Sequence, residues 1–216
     1  MPRKLVLFDL DGTVLDTELD MFLCVNELFA RLGYPPVDLE TVRRANGKDA
    51  YGYMRTLMGE GFTAEEIARA WEDYCALTAI KGADNTKVFE GVEAVLEALS
   101  QKGYILAALT NKTEEENAVF KEKILCHLPF DAILAVGGTD DAKPAPGAIR
   151  KCLTRYGIAK ENAYLVGDCE PDILSAIAAE INPVAVLWGN RTREQLCAVG
   201  AKIFAERPDE LTAIIG

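Results

Sequence analysis

Short apolar runs recur along the chain with the length and composition of buried parallel strands. Six of them lie at 4–8, 104–109, 132–136, 163–166, 184–187 and, more weakly, 202–204. Segments with a helical spacing of apolar residues separate the runs, and Thr113 with Glu116 has the pattern of a capping box at a helix start. This alternation predicts an α/β fold on a doubly wound, Rossmann-like parallel sheet, whose ligands bind at the carboxyl ends of the strands.

The stretch from 16 to 87 breaks the alternation, because it contains several helical patterns and no convincing strand. Since this stretch follows the first strand almost directly, we expect an inserted all-helical cap domain that stands over the carboxyl end of that strand. The predicted organisation is an α/β core of residues 1–15 and 88–216 with a helical cap of residues 16–87. A cap in this position could open and close on a substrate.

Composition narrows the classes of function. The chain has 216 residues, is half hydrophobic, carries a net charge of -11 and has no apolar run long enough to span a membrane. An acidic chain without clustered Lys and Arg is not expected to bind nucleic acid. Without a recognisable secretion signal or closely spaced cysteines, we expect a cytoplasmic monomer or homodimer with reduced thiols. The only histidine, His127, lies at a predicted helix end, which excludes Ser-His-Asp chemistry and multi-His metal sites.

Four aspartates at two predicted strand ends carry the candidate chemistry. Asp9 and Asp11 follow the first strand, with Gly12 permitting a sharp turn, and Asp168 and Asp172 follow the strand at 163–166. Carboxylates gathered at one sheet edge repel one another, so a divalent cation is their natural counter-ion.

An acidic protein that takes an anionic phosphate must also supply positive charge locally. Thr110 and Asn111 end the second strand with a hydroxyl and backbone N–H groups near a helix start, an arrangement that suits phosphate oxygens. Lys143 offers a cation in a proline-containing loop before another helix. The order Asp-x-Asp, Thr, Lys, Asp is far more specific than any of these residues alone.

These residues resemble the motifs of the haloacid-dehalogenase-like (HAD) superfamily. The matching motifs span essentially the whole chain and are Asp9-Leu-Asp-Gly-Thr13, Thr110, Lys143 and Gly167-Asp168-x-x-x-Asp172. The resemblance implies an enzyme in which Asp9 attacks phosphorus, while Asp11 acts as general acid and then as general base. It also implies that Thr110 and Lys143 hold the phosphoryl oxygens.

The same resemblance implies Mg²⁺ as cofactor and names its ligands. Asp9, Asp11 through its backbone carbonyl, and Asp168 would hold the ion, with Asp172 in support.

Within the superfamily, the chain is most similar to phosphoglycolate-phosphatase-like proteins, through the sequences at 109–112, 143–146 and 187–189. The implied activity is hydrolysis of a small phosphate monoester, phosphoglycolate-like or a sugar phosphate, through a phospho-aspartate on Asp9. A β-phosphoglucomutase-like sugar phosphomutase, a pyrophosphatase and a catalytically silent binding relative remain as alternatives. Gly167 favours hydrolysis over mutase activity, because the mutases typically have Glu at that place.

The polar stretch from 43 to 48 of the predicted cap offers candidate contacts to the substrate. Arg44 and Lys48 could each pair with a carboxylate or second phosphate of a small phosphorylated substrate. Cys169 stands where the family usually has Ser or Thr, and without a base partner we interpret it as a structural residue.

Overall fold

The computed structural model of the protein describes residues 3–216, so the first two residues of the predicted core segment lie outside it. Its strands are β1 (Leu5–Phe8), β2 (Leu15–Asp16), β3 (Lys87–Val88), β4 (Ile105–Thr110), β5 (Ala132–Ala135), β6 (Ala163–Gly167), β7 (Asn182–Val186) and β8 (Phe204–Ala205). Six of them form one parallel sheet in the order β5-β4-β1-β6-β7-β8. These six are the predicted strands, each within two residues of its expected bounds.

Helices cover both faces of this sheet. The helices of the core are α5 (Val92–Gln101), α6 (Glu114–Lys123), α7 (Gly147–Tyr156), α8 (Glu170–Ala179), α9 (Arg193–Ala198) and α10 (Leu211–Ile215). Val6 and Phe8 of β1 pack in a cluster with α5, α6 and α10, whereas Leu5 and Leu7 pack with α7 and α8 on the other face. Alternate residues of one strand thus enter two hydrophobic layers, which confirms the doubly wound α/β fold.

The start of α6 confirms a local prediction. Thr113 Oγ1 accepts a hydrogen bond from the Glu116 N–H at 3.2 Å, and the Glu116 carboxylate accepts one from the Thr113 N–H at 2.8 Å. Together they form the expected capping box. None of the helices between residues 3 and 216 is long and apolar enough to cross a membrane.

The insert between β2 and β3 is helical, as predicted. Its helices are α1 (Glu18–Leu32), α2 (Leu39–Ala45), α3 (Ala50–Met58) and α4 (Ala64–Lys81). They bury a hydrophobic cluster of their own that includes Val25, Phe29, Met54, Ile67 and Tyr74. The helices of the insert therefore pack around a separate core, as a cap domain requires.

Two short strands connect the cap to the core, and the sequence pattern did not predict them. β2 and β3 pair antiparallel, with two residues each. Beside this ribbon, the buried Asp20 carboxylate accepts hydrogen bonds from the backbone N–H groups and side chains of Asn85 and Thr86, at 2.7 to 3.1 Å. These bonds tie the chain entering the cap to the chain leaving it.

Candidate active site

The carboxyl ends of β1, β4 and β6 bring the predicted residues to one edge of the sheet. Asp9 follows β1, and its backbone N–H donates to the Val166 carbonyl of β6 at 2.9 Å. Thr110 is the last residue of β4, Asp168 follows β6 directly, and Lys143 comes from the loop before α7. The side chains of these four site residues are buried.

Lys143 is the cation at the centre of this edge. Its Nζ donates to Asp9 Oδ1 and Asp172 Oδ1, both at 2.6 Å, and to the Leu109 carbonyl at 3.1 Å. The side chain is 3% exposed, so water screens these ion pairs weakly. Burial lowers the pKa of Lys143, but the two carboxylates outweigh that effect and hold the pKa above its ordinary value. The ammonium therefore stays charged and uses all three of its N–H donors.

Three buried carboxylates form a cluster, and Lys143 contacts two of them. Asp9, Asp168 and Asp172 each offer an oxygen, and these oxygens all lie within 4.8 Å of one another. Burial and then the charge of Asp172 raise the pKa of Asp9 to about 7, while burial and the charge of Asp9 raise the pKa of Asp168 to about 6. Lys143 supplies one positive charge against three carboxylates, so the cluster keeps excess negative charge. Buried, hard oxygen donors with unbalanced charge fit a Mg²⁺ ion.

Residues that follow β1 and β7 hold Asp168 in this cluster. Asp168 Oδ2 accepts hydrogen bonds from Asn190 N and Nδ2, both at 2.7 Å, and Oδ1 accepts one from Thr13 Oγ1 at 3.3 Å. Gly12 has φ +79, and a Cβ atom added there would lie 2.4 Å from Asp168 Oδ2 and from Asn190 Nδ2. Glycine is therefore required both for the turn and for the close approach to Asp168.

Asp11 lies apart from the three clustered carboxylates. Both of its carboxylate oxygens accept a hydrogen bond from Lys112 Nζ at 2.8 Å, and that ammonium also lies 5.1 Å from the centre of the Phe120 ring. Burial lowers the pKa of Lys112, but Asp11 and then Glu116 raise it above its ordinary value. The side chain of Asp11 thus contacts a cation instead of joining the other carboxylates. This agrees with the metal role that the resemblance implied for Asp11, in which its backbone carbonyl and not its side chain is the ligand.

Thr110 and Asn111 occupy the predicted turn at the end of β4. Asn111 Oδ1 accepts a hydrogen bond from the Lys143 N–H at 2.7 Å, and Asn111 Nδ2 donates to the Lys143 carbonyl at 2.8 Å. The amide of Asn111 therefore fixes the backbone of Lys143 from both sides. Thr110 Oγ1 accepts a hydrogen bond from the Lys112 N–H at 3.2 Å, and within residues 3–216 its own proton has no acceptor.

A cavity of about 100 Å³ lies between this edge of the core and the cap. Its walls combine core and cap residues: Asp9, Asp11, Thr110, Asn111, Lys143 and Asp172 from the core, with Lys48, Tyr53, Trp71 and Tyr74 from the cap. Lys48 Nζ donates to Thr56 Oγ1 at 2.6 Å, and no carboxylate of the described chain lies within ion-pair distance of it. Arg44 does not line this cavity; it borders a second, larger one of about 900 Å³, which Lys48 borders too. Of the two predicted cap contacts, the structure brings only Lys48 to the site.

Comparison with known proteins identifies the family of the chain. The sequence model of the haloacid dehalogenase-like hydrolases matches residues 6–186. The chain belongs to the haloacid dehalogenase-like hydrolase family. The predicted family is thereby confirmed, as is the prediction of an enzyme at the level of a hydrolase.

Individual relatives of this haloacid dehalogenase-like hydrolase match along most of their length. The phosphoglycolate phosphatase of Xanthomonas campestris pv. campestris strain 8004 is 33% identical over 215 residues, which cover 97% of this chain and 95% of that protein. Phosphoglycolate phosphatase 1 of Pseudomonas aeruginosa is 32% identical, covering 88% of this chain and 71% of that protein. A haloacid dehalogenase-like hydrolase from Streptococcus pneumoniae has a solved structure with a TM-score of 0.85 and 27% identity, covering 99% of each chain.

Sequence reasoning did not select three residues of this haloacid dehalogenase-like hydrolase that contact the site or the cap above it. Lys112 pairs with Asp11, Asn190 holds Asp168, and Arg191 joins the core to the cap. Each follows the carboxyl end of a parallel strand, β4 or β7. The rule that identified the aspartates, that polar residues after such strands meet at one edge, would have identified these as well.

Proposed function

We propose that this protein is a magnesium-dependent phosphatase that hydrolyses a small phosphate monoester through a phospho-aspartate on Asp9. One observation carries the proposal: the buried Asp9 carboxylate is held by Lys143, within a group of three carboxylates, at the floor of a small cavity closed by the cap. The phosphoglycolate phosphatases among its relatives support the same activity.

In the first step, an oxygen of Asp9 attacks phosphorus and the bond to the leaving oxygen breaks. Lys143 contacts Asp9 Oδ1, while Oδ2 accepts no hydrogen bond from residues 3–216 and is the oxygen available for attack. Asp11, on the wall of the same cavity, gives its proton to the leaving oxygen. In the second step, water loses a proton to Asp11 and attacks phosphorus, and the bond between phosphorus and Asp9 breaks to release phosphate.

The residues that would hold Mg²⁺ are Asp9, Asp168 and, through its backbone carbonyl, Asp11, with Asp172 in support. When bound, the ion neutralises charge on the phosphoryl oxygens. Thr110 adds a free hydroxyl donor at the end of β4 for one of those oxygens. Asn111 acts indirectly in this scheme, because its amide holds the backbone of Lys143.

The size and charge of the cavity favour a short, anionic leaving group. The cavity above Asp9 has a volume of about 100 Å³, which favours a small ester over a nucleotide. Lys48 is the cation of the cap that lines it, and this ammonium has no carboxylate partner in the described chain. We assign Lys48 to the carboxylate of a phosphoglycolate-like substrate and give Arg44, which borders the other cavity, no contact with the substrate.

We also propose that the chain divides into a helical cap and an α/β core. The separate hydrophobic cluster of α1 to α4 and the two-strand ribbon at its base support a cap of residues 16–87 on a core of residues 1–15 and 88–216. The cap supplies Lys48 and the aromatic wall, and the core supplies the reacting groups.

The test is phosphate release from phosphoglycolate, hexose phosphates, nucleotides and pyrophosphate, each with Mg²⁺ and with a chelator. We expect one small ester to lead in kcat/KM and no release without metal. Asp9→Asn should abolish release while the far-UV circular dichroism stays unchanged, and Asp209→Asn, an exposed aspartate that pairs with Arg207, should behave like the parent. Release that survives in Asp9→Asn, or in chelator, would overturn the proposal.

A further inference from the structure

Arg191 makes four hydrogen bonds at the boundary of core and cap, two within the core and two to the cap. Its Nε donates to both carboxylate oxygens of Glu170, at 2.9 and 2.8 Å. Its two terminal nitrogens reach across to the cap and donate to the carbonyl oxygens of Arg43, at 3.1 Å, and Asn46, at 2.5 Å. One side chain of the core thus contacts two backbone positions of the cap.

The cap carbonyls that Arg191 binds lie in the last turn of α2 and just beyond it. Carbonyls at a helix C-terminus lack partners within the helix and carry partial negative charge, so a guanidinium there is favourable. The Arg191 side chain is 8% exposed, and Glu170 balances its charge. Burial lowers the pKa of Arg191, but neighbouring acidic groups outweigh it and keep the pKa above its ordinary value. The contact is therefore a buried cation, balanced by Glu170, at the boundary between cap and core.

The segment that Arg191 fastens is the part of the cap that closes over the site. A Cβ atom added to Gly47 would lie 3.1 Å from Cys169 Cβ, so the cap backbone rests directly on the loop after β6. Lys48, the next residue, lines the cavity above Asp9. On the core side, Asn190 immediately precedes Arg191 and donates twice to Asp168.

We propose that Arg191 is a positioning residue that fastens the cap loop of residues 46–48 onto the core and thereby places Lys48 at the cavity wall, where it meets the carboxylate of the substrate. Glu170 orients the guanidinium, and the carbonyls of Arg43 and Asn46 receive it. Without these bonds the loop keeps the packing of Gly47 against Cys169 but loses the hydrogen bonds that join it to the core in the described chain. The loop then opens more often, and the substrate loses its contact with Lys48.

The first test is amide hydrogen exchange across residues 43–48 in the intact protein without substrate. Arg191→Met keeps the length of the side chain and removes every donor, so we expect exchange in this segment to become at least about tenfold faster. Arg193→Met is the matched control, because Arg193 lies in the same region, pairs with the exposed Glu206 and has no contact with the cap in the described chain. Unchanged exchange at 43–48 in folded Arg191→Met would overturn the proposal.

Arg191→Lys decides the question if Arg191→Met does not fold. A lysine keeps the charge beside Glu170 but cannot reach both cap carbonyls. The exchange rate at 43–48 should therefore be faster than in the parent, though slower than if the whole contact were lost. Parent-like exchange in the folded lysine variant would refute a role for the two-carbonyl contact.

The kinetic test rests on the proposed function, whereas the exchange test does not. Arg191→Met should raise KM for phosphoglycolate by about tenfold. It should change KM for p-nitrophenyl phosphate by less than about twofold, because that ester has no carboxylate to bind Lys48. Equal effects on both esters, with faster exchange at 43–48, would mean that Arg191 holds the cap without placing Lys48. Inactivity of the parent toward all esters would count against the phosphatase but leave the exchange result intact.

Discussion

Replacement of Lys143 with methionine removes the cation from the centre of the site without leaving a large void. The ammonium is 3% exposed and contacts Asp9 and Asp172, both at 2.6 Å. Methionine fills most of the same space but cannot donate a hydrogen bond. The variant therefore isolates the electrostatic role of Lys143 in the stability of the metal-free protein.

The cost follows from the burial of the two carboxylates. Removing one partner of a buried ion pair destabilises a protein by about 3–5 kcal/mol, because the remaining charge stays buried without compensation. Asp9 can escape this cost by binding a proton, since its pKa is already raised to about 7 and rises further without Lys143. We expect a loss of about 3–5 kcal/mol in the free energy of unfolding near pH 8, and a clearly smaller loss near pH 5.5, where Asp9 is already protonated.

Urea unfolding in the presence of a chelator, followed by far-UV circular dichroism, measures this difference. Lys151→Met is the matched control, because Lys151 pairs with Asp141 on the surface and is 72% exposed; it should cost less than about 1 kcal/mol. Mg²⁺ should recover part of the stability lost by Lys143→Met, since a cation then returns to the carboxylates. A loss below about 1 kcal/mol near pH 8 for Lys143→Met would refute this electrostatic account of the site.

Three further results are expected. The folded-state pKa values of Asp9 and Asp168, about 7 and about 6, exceed their unfolded values, so ionisation of these groups lowers the stability of the fold. In chelator, the Tm of the parent relative to that of Asp9→Asn should therefore fall as pH rises from about 4 to about 7. A rise would contradict these shifts. Lys48→Met should lower kcat/KM for phosphoglycolate about tenfold and Arg44→Met by less than twofold, whereas equal losses would argue against the assignment of Lys48. Asn117→Leu should stabilise the protein by about 1 kcal/mol in urea unfolding, because this fully buried amide finds no hydrogen-bond partner within residues 3–216; destabilisation would reveal a partner there.

The parallel sheet could be predicted from sequence because its strands are buried on both faces and so appear as continuous apolar runs. The ribbon of β2 and β3 could not, since each strand has two residues and no apolar period to detect. The same limit applies to the boundaries of the cap, because its helices are recognisable by their apolar faces while the linkers carry no comparable pattern.

Within the site, the aspartates were predictable because acidic residues directly after apolar strands are costly without a partner. The pairing of Lys112 with Asp11 was not, since a lysine at the start of a helix is ordinarily solvated and only the fold shows which carboxylate it meets. Arg44 and Lys48 look equivalent in sequence, four residues apart in one polar stretch of the predicted cap. The turn after α2 separates them, so that both border the larger cavity but only Lys48 also lines the one above Asp9.

Direct detection of the intermediate tests the central claim. The protein is quenched while it turns over its best ester with Mg²⁺ and is then treated with borohydride, which reduces a phosphorylated aspartate to homoserine. Peptide mass spectrometry then locates the homoserine. The account predicts homoserine at Asp9, its absence from Asp11, Asp168 and Asp172, and no conversion in chelator. Conversion at another residue, or an unmodified Asp9 in samples that show a burst of leaving-group release, would contradict it.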